Sequence, residues 1–437
     1  MKRKFIYAAV FLFIVAGPFF RTVKGLDDDR RIFLDEHFWI PTGNIVFNNF
    51  FIENDFRYST WNKEYYSWGN YYPTVGKFII GFSIYLWGDA TWQAFPPVDE
   101  KTLEVREIKV FPDKKTLFAA RLPGYAMTFL FYLLVFVMVS SFAGLVPGAL
   151  ATYLISHNLL IQYLSRLVVT DFYMLFFGLA STFLAIIILR DLGKKPLSLV
   201  LSVYTPLAGI FAGFCIGSKL NGFLSIICLV PIGIISGIWS PYLKGRQRFI
   251  LPATVISLIS TVAMTLFILS NPFLYKDTVN GLKHMLSHKK IIVELNTQDN
   301  ISVKEKFTVV IGELLLHDYN VIRIPGFRKF SVLLNLYLAC AGVFFLCLSA
   351  RKNIRAGNTP YSNGTLMMLC WCLVYMIGTL WWIPKAWHRF VLPAMFPLAI
   401  LEAIGFVNTV RLMFVWIGID RQRFGFLGKV LQGIYYK

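Results

Sequence analysis

Charge is scarce in this sequence: Asp, Glu, Lys and Arg together make up 15% of its 437 residues. Acids are the scarcer sign, 24 against 43 bases. With 56% hydrophobic residues and a mean hydropathy of +0.59, the chain has too little polar surface for a soluble enzyme and reads as a polytopic membrane protein. Other things are missing as well. There is no Walker A loop and no G-x-G-x-x-G fingerprint, which argues against direct use of nucleotide substrates. The six histidines are scattered, with no H-E-x-x-H pair. Cys215, Cys228, Cys340, Cys347, Cys370 and Cys372 all fall in apolar runs without C-x-x-C spacing, so neither a metal cluster nor a disulfide framework is expected. No low-complexity tract or tandem repeat breaks the chain.

What is present is a series of hydrophobic runs near the length needed to cross a bilayer. They read as spans over 5–20, 117–142, 147–163, 168–189, 197–216, 220–240, 249–269, 331–350, 364–384 and 390–409, with 405–419 extending the last. The fold class is therefore all-α, with about 10–11 transmembrane helices. The first run follows Met1-Lys2-Arg3-Lys4 and lacks a small-residue cleavage site, so an uncleaved signal anchor is expected. A single membrane domain over 1–437 accounts for the whole sequence.

The net charge of +19 would suggest nucleic acid if it were not so unevenly placed. With the N-terminus inside, the cytoplasmic segments hold 17 basic residues, against Asp191 and Asp420. That is the positive-inside rule, and it suits anionic inner-leaflet lipid, not nucleic acid. The same topology puts 21–116 and 271–330 outside. The first of these loops holds 14 acids and 12 bases, so its acidity is not a by-product of orientation. Within it the apolar stretch 75–87 has only 13 residues and is expected to lie along the outer interface as a juxtamembrane helix.

That loop carries the chemical candidates. Asp35 and Glu36 sit among Phe33, Leu34, Phe38 and Trp39, where apolar surroundings can make a carboxylate a useful base. Asp27-Asp28-Asp29 upstream has few apolar neighbours and reads as a solvated run. Lys77, Arg121, Lys219 and Arg389 each stand where a polar stretch meets a span on the outer side, and could hold a phosphate. Asp171, at the outer end of the fourth span, is costly there and so a site candidate; its structural alternative is a pair with Arg166. Glu402, within the tenth span, reads as a helix-packing polar contact.

In order along the chain these residues resemble glycosyltransferase family 39, the protein O-mannosyltransferase and aminoarabinose-transferase group. Asp35-Glu36 with Phe38 matches its Asp-Glu-aromatic, and Tyr72-Pro73-Thr74-Val75-Gly76-Lys77 its His-Pro-Pro-Leu-Gly-Lys, without the first residue and the second proline. Arg121 in Ala120-Arg121-Leu122-Pro123, Arg166 with Asp171, the Gly-rich run ending in Lys219, and Arg389-Phe390-Val391-Leu392-Pro393 complete the series. The resemblance implies a membrane glycosyltransferase of the C superfamily, inverting, with a polyprenyl-phosphate sugar as donor. Its acceptor would be a lipid, glycan or protein hydroxyl at the extracytoplasmic face of a bacterial plasma membrane or the endoplasmic reticulum. It implies Asp35 as general base, Glu36 as its partner or a metal ligand, and Lys77, Arg121, Lys219 and Arg389 on the donor phosphate. Arg166 and Asp171 would support the site. A divalent cation is possible in this group, but no cluster here demands one. The alternative reading is a polytopic transporter or flippase for a lipid-linked or anionic substrate. Such a protein would explain the spans and the intramembrane acid but not the acid-rich, aromatic-rich first loop.

Overall fold

A computed structural model describes residues 2–24, 26, 36–61, 73–92, 111–194, 196–240, 242–296, 328–355, 359–382 and 388–416. All of their regular structure is helical. Helix α1 is Lys2–Val23, α2 is Glu36–Phe47 and α3 is Val75–Trp87. There follow α4 (Lys114–Phe142), α5 (Leu145–His157), α6 (Leu159–Leu164), α7 (Asp171–Arg190), α8 (Thr205–Ser218), α9 (Phe223–Trp239) and α10 (Gln247–Leu269). The chain continues through α11 (Thr278–Asn296), α12 (Arg328–Arg355), α13 (Thr359–Trp382) and α14 (His388–Trp416).

Eight of the described helices are long and apolar enough to cross a membrane. Two expected spans are shorter. The run read over 147–163 is broken: Asn158 leaves helical geometry, and its side chain accepts from Ile161 N–H to start α6 afresh. The run read over 364–384 carries the shorter apolar helix Asn363–Thr379 within α13. Helix α3, at 13 residues, is about 20 Å long and cannot cross about 30 Å of hydrocarbon.

Lipid tails are as apolar as leucine, so spans pack by close approach of small residues and by hydrogen bonds between helices. Helix α8 shows both. Ser181 of α7 donates to the Ala208 carbonyl at 2.9 Å. Gly209, Gly213 and Gly217 repeat every fourth residue and so share one face. A Cβ on Gly209 would press Val262, and one on Gly213 would press Leu266, so the first two glycines seat α10. The third would strike Val75, so Gly217 seats α3 instead. At the far end of the chain, Gly342 of α12 and Gly405 of α14 each face a backbone carbonyl of the other helix, Leu401 and Leu338 respectively. Glu402 is fully buried in α14, but neither carboxyl oxygen has a hydrogen-bond partner among the described residues. The polar helix-packing contact expected of it is not made.

Helix α3 is fixed along its length as well as at its start. Gly81 lies on the Gly43 carbonyl of α2, Ser83 donates to the Ala119 carbonyl of α4 at 2.6 Å, and the Asp89 N–H donates to Thr116 Oγ1 at 2.8 Å. Asn44 reaches from α2 to the Asp89 and Trp92 carbonyls just beyond it. Its other face leaves Phe82, Tyr85, Leu86 and Trp87 about half exposed, a pattern suited to a headgroup boundary. The positive-inside reading puts α3 on the outer side, so Thr91→Cys is expected to react with an impermeant thiol reagent added to intact cells or right-side-out vesicles. Labelling seen only after the membrane is opened would place Thr91 on the other side.

Candidate functional site

The site forms where five helix ends meet, the starts of α2, α3 and α7 and the ends of α8 and α10, with the third turn of α4 beside them. Glu36 opens α2, and its Oε1 and Oε2 accept from Arg121 Nε and Nη2 of α4 at 2.8 and 2.7 Å. The Glu36 side chain is fully buried and Arg121 nearly so. Two further contacts extend this fork. Arg121 Nη1 donates to the Leu26 carbonyl at 3.2 Å, and Glu36 Oε1 also accepts from the Val168 N–H at 2.9 Å. One ion pair thus joins the chain before α2, the first turn of α2, the third turn of α4, and the turn ahead of α7.

Three residues after Val168, Asp171 opens α7, where the positive helix N-terminus favours a carboxylate. Its partner is Lys219, not the Arg166 that local spacing suggested. Lys219 lies immediately after α8, and its Nζ is 2.5 Å from Asp171 Oδ1. The reason is geometric: Arg166 precedes α7 in a non-helical turn and points elsewhere, its Nη2 donating to the Arg21 carbonyl at 3.3 Å.

Helix α3 starts against this pair. Val75 packs on Gly217, two residues before Lys219. Gly76 packs on Thr170, one residue before Asp171, and on Tyr173; a Cβ there would collide with the Thr170 side chain. This explains the glycine of the Tyr-Pro-Thr-Val-Gly-Lys stretch by packing alone. Lys77 follows and is fully buried, its Nζ 5.9 Å from the Trp39 ring centroid of α2. Burial pulls Lys77 down to about 7, against the usual lysine range above 10.

The structure therefore brings Glu36, Lys77, Arg121, Asp171 and Lys219 to one end of the bundle, with Arg166 beside the same turn. Asp35 lies outside the described residues, one position before α2. Arg389 is in the first turn of α14, and its side chain lies outside the described residues. Among the described residues no group of three His, Cys, Asp or Glu gathers as a metal site. Glu36 is poorly suited to the alternative role of metal ligand, because a bidentate guanidinium already occupies it and would repel a dication.

Two residues of this region were not singled out from the sequence. His37 is buried next to Glu36 with its ring 5.4 Å from Phe111, and burial holds its basicity down against the opposing pull of the Glu36 carboxylate. Asn271 is the other. It follows α10 and precedes Pro272, a dipeptide that marks a turn, yet its partner is 197 residues away.

The Glu36–Arg121 pair gives a stability prediction. Either Arg121→Ala or Glu36→Ala strands a buried charge and should cost about 3–5 kcal/mol. Glu36→Gln combined with Arg121→Met should cost much less than the two single changes summed. Thermal melting in detergent measures this, and simple additivity would show that the two residues do not act as one unit.

No protein-family model matches the chain, and no curated protein matches it. Solved structures do. The archaeal oligosaccharyltransferase AglB from Archaeoglobus fulgidus, in complex with an inhibitory peptide and a dolichol-phosphate, aligns at TM-score 0.55 with 11% identity. That alignment covers 96% of this chain and 52% of that one. The Archaeoglobus fulgidus oligosaccharyltransferase tethered to an acceptor peptide gives TM-score 0.52, 12% identity, and coverage of 95% and 51%. Its apo form gives 0.51, 12%, and coverage of 97% and 52%. The chain spans about half the length of these neighbours. It shares a helical membrane fold with them. The likeness does not single out family 39.

Proposed function

We propose that this protein transfers a sugar from a polyprenyl-phosphate donor to an acceptor hydroxyl at the extracytoplasmic membrane face, inverting the anomeric carbon. The observation that carries the reading is the buried Lys77, set at the start of α3 against the Asp171–Lys219 pair, within a fold shared with lipid-linked glycosyltransferases. A lysine ammonium at this position is a point charge of the kind that binds phosphate, and a donor phosphate is an anion of opposite charge. AglB is described with a dolichol-phosphate and an inhibitory peptide, which supports a prenyl-linked donor and favours a protein among the acceptor classes. Family 39 membership remains part of the proposal, carried by the ordered motifs between residues 33 and 393.

In this reading Asp35 takes the proton of the acceptor hydroxyl as its oxygen attacks the anomeric carbon. The bond from that carbon to the phosphate oxygen breaks, and its electron pair leaves with the polyprenyl phosphate. Lys77 and Lys219 face the charge that develops on the leaving phosphate, with Arg389 as a third cation. Asp171 orients Lys219 through the 2.5 Å contact, and Arg166 braces the turn ahead of α7. Glu36 and Arg121, assigned from sequence to the acid and to the phosphate, act here as the brace that fixes the start of α2. Both Glu36 oxygens already accept N–H bonds, and three nitrogens of Arg121 already donate.

Two measurements test this. Asp35→Asn keeps the shape but cannot accept the proton, so transfer should fall about 10²- to 10⁴-fold. Donor binding should change far less. Asp28→Asn, in the solvated run, should leave transfer unchanged. Full activity in Asp35→Asn would remove it as the base. The second test is pH. Lys77 is charged below about pH 7 and neutral above it, so binding an anion above that pH requires proton uptake. The affinity for a prenyl phosphodiester, whose own charge is constant in this range, should therefore fall as pH rises through about 7. Lys77→Arg keeps its charge and should flatten that dependence. An unchanged slope in Lys77→Arg would take Lys77 off the phosphate.

A further inference from the structure

The first turn of α3 is attached to the end of α10 through the side chains of Asn271 and Thr74. Asn271 Oδ1 accepts from the Thr74 N–H at 3.2 Å, at the residue that caps α3. Its Nδ2 donates to the Phe267 carbonyl, among the last of α10, at 2.5 Å and to Ser270 Oγ at 3.1 Å. Thr74 Oγ1 answers by donating to the Ser270 carbonyl. Asn271 and Thr74 are both buried. Helix starts expose unsatisfied N–H groups and helix ends unsatisfied carbonyls. Here one end of each kind meets, and a primary amide is the group that serves both, its oxygen toward the donor and its nitrogen toward the acceptor. A carboxylate would face the Phe267 carbonyl with no hydrogen to give.

We propose that Asn271 is a positioning residue for Lys77: by tying the cap of α3 to the end of α10, it keeps Val75 on Gly217, Gly76 on Thr170, and Lys77 buried beneath Trp39. The neighbouring aromatic contacts run the same way. Tyr58 stacks on Phe273 with centroids 5.9 Å apart, and Lys276 Nζ lies 5.0 Å from the Tyr58 ring. The segment just after α10 thus touches the polar stretches on both sides of residues 62–72. Its functional weight rests on the proposed role of Lys77 in holding the donor phosphate.

The test reads Lys77 directly, so that it does not depend on the reaction. Full-length protein in detergent is treated with an amine-acylating reagent, and labelling of individual lysines is followed by mass spectrometry. In the wild type Lys77 should be protected relative to exposed Lys115. In Asn271→Ala its labelling should rise about tenfold or more, while Lys219, held by Asp171 on α7 and α8, keeps its wild-type rate. Thr74→Val should loosen Lys77 in the same sense, and Thr74→Ser, which keeps the hydroxyl, should restore protection. These two variants carry the test if Asn271→Ala does not fold. Unchanged protection of Lys77 in a folded Asn271→Ala or Thr74→Val protein overturns the proposal, and so does a parallel rise at Lys219, which would mean general loosening. Binding of a C55 prenyl phosphodiester is measured on the same samples. If Lys77 is freed but that affinity and its pH dependence stay as in the wild type, positioning by Asn271 stands and the phosphate role of Lys77 falls.

Discussion

The fork between Glu36 and Arg121 is the constraint on which the rest of this end of the bundle depends. Two ions in an apolar interior each lose several kcal/mol of hydration, and a short bidentate contact does little more than offset that loss. A pair of well-packed apolar side chains would serve stability as well. What the fork adds is geometry. A guanidinium has five donors in fixed directions, and here three of its nitrogens are committed to Glu36 and to the Leu26 carbonyl. The carboxylate uses its remaining capacity on the Val168 N–H. Shifting α2, α4 or the 165–170 turn would break a charge-assisted bond in a medium with no water to replace it.

From that turn the constraint passes to α7, whose first residue holds Lys219, and from the end of α8 to α3 through Gly217 and Val75. Helix α3 has too few residues to anchor itself by crossing the membrane, so its position must come from contacts at its sides and ends. It has glycine contacts on α2, α7 and α8, side-chain hydrogen bonds near its far end, and an asparagine at its start. Such dense fixation of a 13-residue helix makes sense if it carries something whose position matters. Lys77 is the charged residue it carries. Burial lowers the hold of Lys77 on its proton, which is the feature the proposed phosphate role draws on.

Much of the fold was legible because hydropathy and length are local properties. Eight of the ten runs read as spans correspond to long apolar helices among the described residues, and α3 was too short to be read as a further one. The break at Asn158 was missed because a single capping residue hardly alters the hydropathy of a window around it. The site was legible in its residue types and less so in its pairings. Sequence spacing offers Asp171 only near neighbours, of which Arg166 is one, while the observed partner Lys219 comes 48 positions later, just after α8. Glu36 and Arg121 are 85 positions apart and were given separate roles for the same reason. Asn271 carried no signal beyond the turn it marks, since its function lies in a contact with a distant loop.

Glu36 and Asp35 are adjacent in sequence, and the question is how two neighbouring acids come to differ. The fork answers for Glu36. Both of its oxygens already accept N–H bonds, and moving either would leave a buried donor with nothing to bond. Such a group holds its surroundings still. Helix α2 begins at Glu36 and cannot rotate without breaking the fork. General-base catalysis needs its acceptor oxygen held within hydrogen-bond reach of the proton it removes. In the proposed mechanism that task falls to Asp35, the neighbour in sequence, while Glu36 is committed to the fork, so the chemistry of the pair is divided and not shared.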